Sequence, residues 1–166
     1  MNSRERVQTA LDHQEPDRIP LDLGGTTVTG IHETAYRALR THLGMPRVEV
    51  RIDDLTEQLA AVDADMAAKL APDCRRLAPA APSFYGRVFV DDGEYVSFAD
   101  EWGIVWRMPK QGGFFYDMAW HPLAEAKTIN DLRDYPWPDP ADETRFSGLR
   151  VRAQAIRDEG KAVVLA

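Results

Sequence analysis

The 166-residue sequence holds one cysteine, Cys74, so no disulfide can form within the chain. Long apolar runs are also missing, none approaching the ~20 residues that a membrane-spanning helix requires. The charged opening MNSRERVQTALDHQEPDR has no apolar stretch of the secretory-signal kind. Together these absences point to the cytoplasm, with no membrane-spanning segment and no membrane partner expected. Basic clusters are scarce: the net charge is −7, the basic residues are dispersed among acids, and the pair Arg75-Arg76 is too short to make a patch. A nucleic-acid partner, which needs Lys and Arg gathered on one face, is excluded on that ground. Neither GxGxxG nor GxxxxGK[ST] occurs, so no phosphate-cradling loop is indicated.

What is present is the composition of a globular domain, 44% hydrophobic and 28% charged. A chain of this length can bury about 70% of the surface its unfolded form exposes. Ser3 is placed to cap a helix running to about Leu11. In DRIPLDLGG, the alternation of Ile19, Leu21 and Leu23 with Pro20 and Asp22 predicts a strand over 19–24 that breaks at Gly24-Gly25. Ile31, Ala35, Leu39 and Leu43 then recur every four positions, and Gly44 with Pro46 ends that helix. A second helical spacing joins Leu55, Leu59, Val62, Met66 and Leu70, with a short strand expected over 73–78.

Between 84 and 118 the β-branched and aromatic runs are split by DDG and KQGG, the turn chemistry of an antiparallel hairpin or small meander. Thr128 can cap a short helix bearing Ile129 and Leu132, and a helix is expected from about Ala141 to Glu159, with Gly160 following it. The closing KAVVLA reads as a strand buried on both faces, as in a parallel sheet.

The phrases MNSRERVQTALDHQEPDRIPLDLGG, DADMAAKLAPDCRRLAP, DEWGIVWR and HPLAEAKTINDLRDYPWPDP, in this order, resemble the N-terminal half of the uroporphyrinogen decarboxylase superfamily. The resemblance implies an α/β fold: the N-terminal portion of a (β/α)₈ TIM barrel, incomplete, with strands at 19–24, 73–78 and 161–166 and a small antiparallel hairpin insertion at about 84–118. All of residues 1–166 would belong to that one barrel domain. Porphyrin decarboxylases of the superfamily follow the first strand with arginines that bind substrate carboxylates, whereas LDLGGTTVTG contains none. Ala78 and Pro79 stand where those enzymes carry a Ser-Asp pair.

The DLGG and DEWG phrases are instead similar to the corrinoid-dependent methyltransferase branch, whose members move a methyl group between a corrinoid protein and a thiol or other acceptor. The resemblance implies zinc and a partner-borne corrinoid for the complete enzyme. It places the zinc ligands, a His-x-Cys pair and a later Cys, in a C-terminal half beyond these residues, so that this chain alone binds no cofactor and supplies no metal ligand. No catalytic residue is identified within it. A porphyrin decarboxylase with altered anchoring is one alternative. A non-catalytic half-barrel that pairs with a second chain or with itself through the edge of KAVVLA is another.

On the barrel reading the substrate-binding residues are Asp22, Gly24, Gly25, Thr26 and His32. Each also has a plain structural reading: the glycines as a turn needing positive φ, Asp22 as a cap for backbone N–H groups, His32 as an exposed helix residue. Trp102, Trp106 and Trp120 with Phe114, Phe115 and Tyr116 form either a stacking platform or ordinary packing. Asp100-Glu101 reads as a turn, and Cys74 as a small core residue.

Overall fold

The computed structural model describes residues 1–166. In chain order its elements are α1 (Ser3–Leu11), α2 (Glu33–His42), β1 (Ile52–Asp54), β2 (Leu59–Ala60), α3 (Ala64–Leu70), β3 (Cys74–Leu77), β4 (Phe89–Asp91), β5 (Tyr95–Ala99), β6 (Val105–Pro109), β7 (Asp117–Trp120), α4 (Ile129–Arg133), α5 (Leu149–Asp158) and β8 (Ala162–Leu165). The fold is mixed α/β with three small sheets, none of them closed into a barrel. No helix is long and apolar enough to cross a membrane. The chain forms two compact units, Met1–Pro79 with Gly148–Ala166, and Ala80–Ser147.

The first unit is organised by β3 and β8, which pair in parallel with Cys74 opposite Ala162 and Leu77 opposite Leu165. Parallel neighbours cannot be joined by a tight turn. Here the return to the sheet is made by α5, which packs on both strands. Gly160, at φ +71°, lets the chain leave α5 and re-enter the sheet. The start of α1 is tied to the same place, where the Arg4 N–H donates to the Gly160 carbonyl at 2.9 Å. Asn2, one residue ahead of the expected Ser3, caps α1 through a reciprocal pair of bonds with Glu5, both 2.8 Å.

The apolar core of this unit gathers Tyr36, Val50, Ala60 and Met66, with Ile31, Leu39, Leu43 and Val62 packed against them. The helix expected over 55–70 is replaced by the β1–β2 hairpin followed by α3. Asp54 causes the break: its carboxylate accepts from the Glu57 N–H at 2.9 Å and from the Thr56 hydroxyl at 2.8 Å, a local turn that competes with helix. Asp63 then restarts the chain as α3 by accepting from the Met66 N–H at 3.0 Å. The expected spacing survives as burial, since Val62, Met66 and Leu70 still reach the core.

The strand expected over 19–24 is also corrected. Leu21 accepts one backbone bond, from the Asp73 N–H at 2.7 Å, but its own N–H goes to the Asp73 carboxylate at 2.8 Å. Pro20 has no N–H to contribute, so no ladder develops. Ile19 is left 87% exposed. The helix expected from Ala141 begins only at Leu149, because Gly148 holds φ +72° and a short 3₁₀ turn occupies Glu143–Phe146.

In the second unit β4 to β7 form a four-stranded antiparallel meander in sequence order, spanning most of the stretch read as a hairpin insertion. Two of its three turns fall at Gly93 and Gly112, with φ +94° and +71°, within the DDG and KQGG signals, and the third, between β5 and β6, holds Gly103 at φ +73°. Phe98 and Tyr116 are its buried aromatics, with ring centroids 5.1 Å apart. Thr128 caps α4 as expected.

Candidate functional site

The loop Asp22–Gly30 is closed upon itself. Gly24 sits at φ +79° and donates its N–H to the Thr29 carbonyl at 2.9 Å. A side chain there would be strained by the backbone and would press on Val62. Gly25 is needed for a different reason: a Cβ at that position would lie 2.8 Å from the Asp22 Cγ. That closeness reflects a contact, since the Gly25 N–H donates to Asp22 Oδ1 at 2.9 Å. The second carboxylate oxygen, Oδ2, has no hydrogen-bond partner within the chain. Thr26 opens the 3₁₀ turn Thr27–Thr29, and its N–H donates to the Thr29 hydroxyl at 3.0 Å.

Asp22, Gly24, Gly25 and Thr26 therefore belong to one loop, with the half-buried Asp22 as its charged group. His32 lies just beyond, where its Nδ1 accepts from the Thr34 N–H at 3.2 Å and so caps α2. It also bridges to Leu59. Cys74 is buried beside this loop; burial, then the nearby charges of Asp22 and Asp73, push its thiol up, the opposite of what a nucleophile or thiolate ligand needs.

The sequence reading missed an ion-pair cluster behind the loop. Asp73 is fully buried, and its carboxylate accepts from Arg6 Nη1 at 2.6 Å, Arg18 Nη1 at 2.8 Å and Arg18 Nη2 at 2.9 Å, besides the Leu21 N–H. Burial would raise its pKa, but these hydrogen bonds outweigh it and hold the carboxyl at about 2. Arg6 is shared with Asp17 at 2.6 Å. The alternating charges of DR at 17–18 and DCRR at 73–76 were the available signal, though nothing in their spacing pairs them.

A second buried group links α2 to α3. The Tyr36 hydroxyl donates to Asp63 Oδ2 at 2.7 Å, and Arg40 Nη1 donates to the same oxygen at 2.5 Å. Burial raises the tyrosine pKa, in keeping with a structural hydroxyl.

In the second unit Asp100 serves as a turn-former, accepting from the Trp102 and Ile104 N–H groups, both at 2.9 Å, and from Trp106 Nε1 at 2.8 Å. Glu101 pairs with Arg145 at 2.9 Å. The aromatic set read as either a platform or ordinary packing is divided: Tyr116 is buried and Trp106 partly so, while Trp102, Phe114, Phe115 and Trp120 stay exposed. Tyr135 and Trp137, which the sequence reading did not single out, join Trp102 in a cleft of about 360 Å³.

No three His, Cys, Asp or Glu side chains converge to hold a metal ion. The zinc implied by the family resemblance has no donor set among these residues. No family model, curated protein or solved structure matches the chain.

Proposed function

We propose that the chain is the N-terminal segment of a uroporphyrinogen-decarboxylase-like (β/α)₈ barrel of the corrinoid-dependent methyltransferase branch, working in the cytoplasm. Asp22, the Gly24-Gly25 turn, Thr26 and His32 would form part of the wall of its ligand pocket. The barrel reading is supported by the β3–α5–β8 return, a parallel pair closed by a packed helix, which is the repeating step of such a barrel.

The observation that carries the choice of branch is the charge of the loop. It offers one carboxylate with an unused oxygen and no guanidinium. Arg18, the arginine nearest in sequence, has both terminal nitrogens committed to Asp73. A loop of this kind attracts hydrogen-bond donors and repels the carboxylates of a porphyrinogen. A corrinoid carried by its own protein would supply or accept the methyl group, and the part of this chain would be to hold and orient what approaches it.

The test is a paired assay of the protein expressed from its complete reading frame. Loss of methyl–cobalt absorbance with matching formation of a methyl thioether supports the reading. Decarboxylation of uroporphyrinogen without corrinoid turnover replaces it with the porphyrin enzyme.

A half-barrel that associates through its sheet is the second reading, favoured by one observation: β8 has only β3 as a neighbour, leaving its other edge of Ala162, Val163, Val164 and Leu165 unpaired. Light scattering that returns a clean monomer removes it.

A further inference from the structure

We propose that the second unit carries a binding site for an organic cation of the quaternary or methylated ammonium class, in the cleft formed by Trp102, Tyr135 and Trp137. The inference stands on this unit's own residues and does not depend on the barrel reading.

Three separate stretches build the cleft. Trp102 and Ile104 come from the turn between β5 and β6, Met118 and His121 from β7 and the residue after it, and Tyr135 and Trp137 from the segment following α4. The volume, about 360 Å³, falls within the range of small-molecule sites. Its aromatic walls are held in place. Trp137 Nε1 donates to the Leu132 carbonyl at 2.7 Å, and the Tyr135 hydroxyl donates to the Trp102 carbonyl.

The rings meet at steep angles. Trp102 and Trp137 are inclined at 67° with centroids 6.3 Å apart, and Tyr135 and Trp137 at 71° with centroids 4.7 Å apart. Differently oriented π faces therefore surround one space. Trp102 and Trp137 remain 44% and 49% exposed, so much of their surface is still open to a ligand.

Charge decides which ligand. None of the lining residues is Asp, Glu, Lys or Arg, so no formal ion pair competes inside the cleft. Just behind it, the Asp100 carboxylate is bonded to the backbone of the lining residues Trp102 and Ile104. Residues 80–147 contain twelve acidic against six basic side chains. Anions are repelled by that field and by the negative ring faces, whereas a neutral apolar molecule gains only from buried area. A bulky, weakly hydrated cation gains from area, ring faces and field together.

The experiment titrates the full 166-residue chain with choline and, in parallel, with 3,3-dimethylbutan-1-ol, its uncharged isostere, following tryptophan fluorescence and calorimetric heat. Choline is expected to bind about 5- to 30-fold more tightly than the alcohol. Trp102→Leu should remove most of that difference, and Trp137→Phe, which keeps a π face, should retain part of it. Trp102 provides the cleaner variant, because its only hydrogen bonds run through its backbone; an unchanged urea transition followed by the fluorescence of the three remaining tryptophans, all in this unit, shows that the unit remains folded. Equal affinity for the two probes, no choline binding at millimolar concentration, or a choline preference untouched in folded Trp102→Leu would each overturn the proposal.

Discussion

Replacing Asp73 with asparagine should lower the stability of the first unit by about 2–3 kcal/mol, because it removes one partner from a buried ion cluster. In the wild type this carboxylate has no exposed surface and accepts three guanidinium hydrogen bonds and one backbone bond. Full loss of a buried pair costs about 3–5 kcal/mol. Two features reduce it here: Arg6 keeps Asp17, and Arg18, with its side chain 45% exposed, can be rehydrated.

The proton affinity expresses the same contacts as a second magnitude. A carboxyl at about 2 rather than its ordinary 3.8 corresponds to about 2 kcal/mol, and partial screening brings this to roughly 1–2 kcal/mol. The sign follows from a depressed folded-state pKa. The contribution is fully present above pH 4 and is lost as pH falls toward 2. Asp73→Asn should therefore both lower the urea midpoint near pH 7, by about 1 M for an ordinary denaturant slope, and flatten its decline between pH 4 and 2. Circular dichroism is the right probe, because α1, α2, α3 and α5 lie in the first unit. All four tryptophans belong to the second. A midpoint that moves by less than about 0.2 M, roughly a fifth of the expected shift, would refute the view that this cluster secures the unit.

Other substitutions probe the loop and the second buried group. Gly25→Ala must displace the Asp22 carboxylate; a loss of about 1–2 kcal/mol is expected in urea unfolding, and a wild-type midpoint would mean the loop relaxes freely. Tyr36→Phe deletes the hydroxyl bond to Asp63 and should cost about 1 kcal/mol by the same measurement. Arg6→Gln should destabilise more than Arg18→Gln, since Arg6 is the more buried and bridges two carboxylates; thermal melts that reverse this order would contradict the assignment.

Local signals in the sequence marked α1, α2, two of the meander turns and α4, because each rests on neighbours within a few residues: a capping pair, a four-residue stripe, an Asp-Gly turn. The closing strand forms where expected, but it is not buried on both faces, since Leu165 is 70% exposed. The failures came where a side chain overruled the pattern. Asp54 folds its own loop and breaks the 55–70 helix, while Pro20 and the Asp73 carboxylate together deny 19–24 a ladder. Of the loop, the glycines and the capping by Asp22 were legible, since both follow from adjacent residues. The Arg6–Asp73–Arg18 cluster was not, because its members are 67 and 55 residues apart. Trp137 was hidden for the same reason, since its ring contact with Trp102 joins residues far apart in the sequence.

The functional account depends most on one physical claim, that the chain comes back to β3 in the same direction through α5. Nuclear Overhauser contacts in the isotope-labelled chain measure this directly. Contacts whose two residue numbers rise together, from Cys74 with Ala162 to Leu77 with Leu165, are the expected result. A set running in opposition, Cys74 with Leu165, or no contacts between these segments, would contradict it.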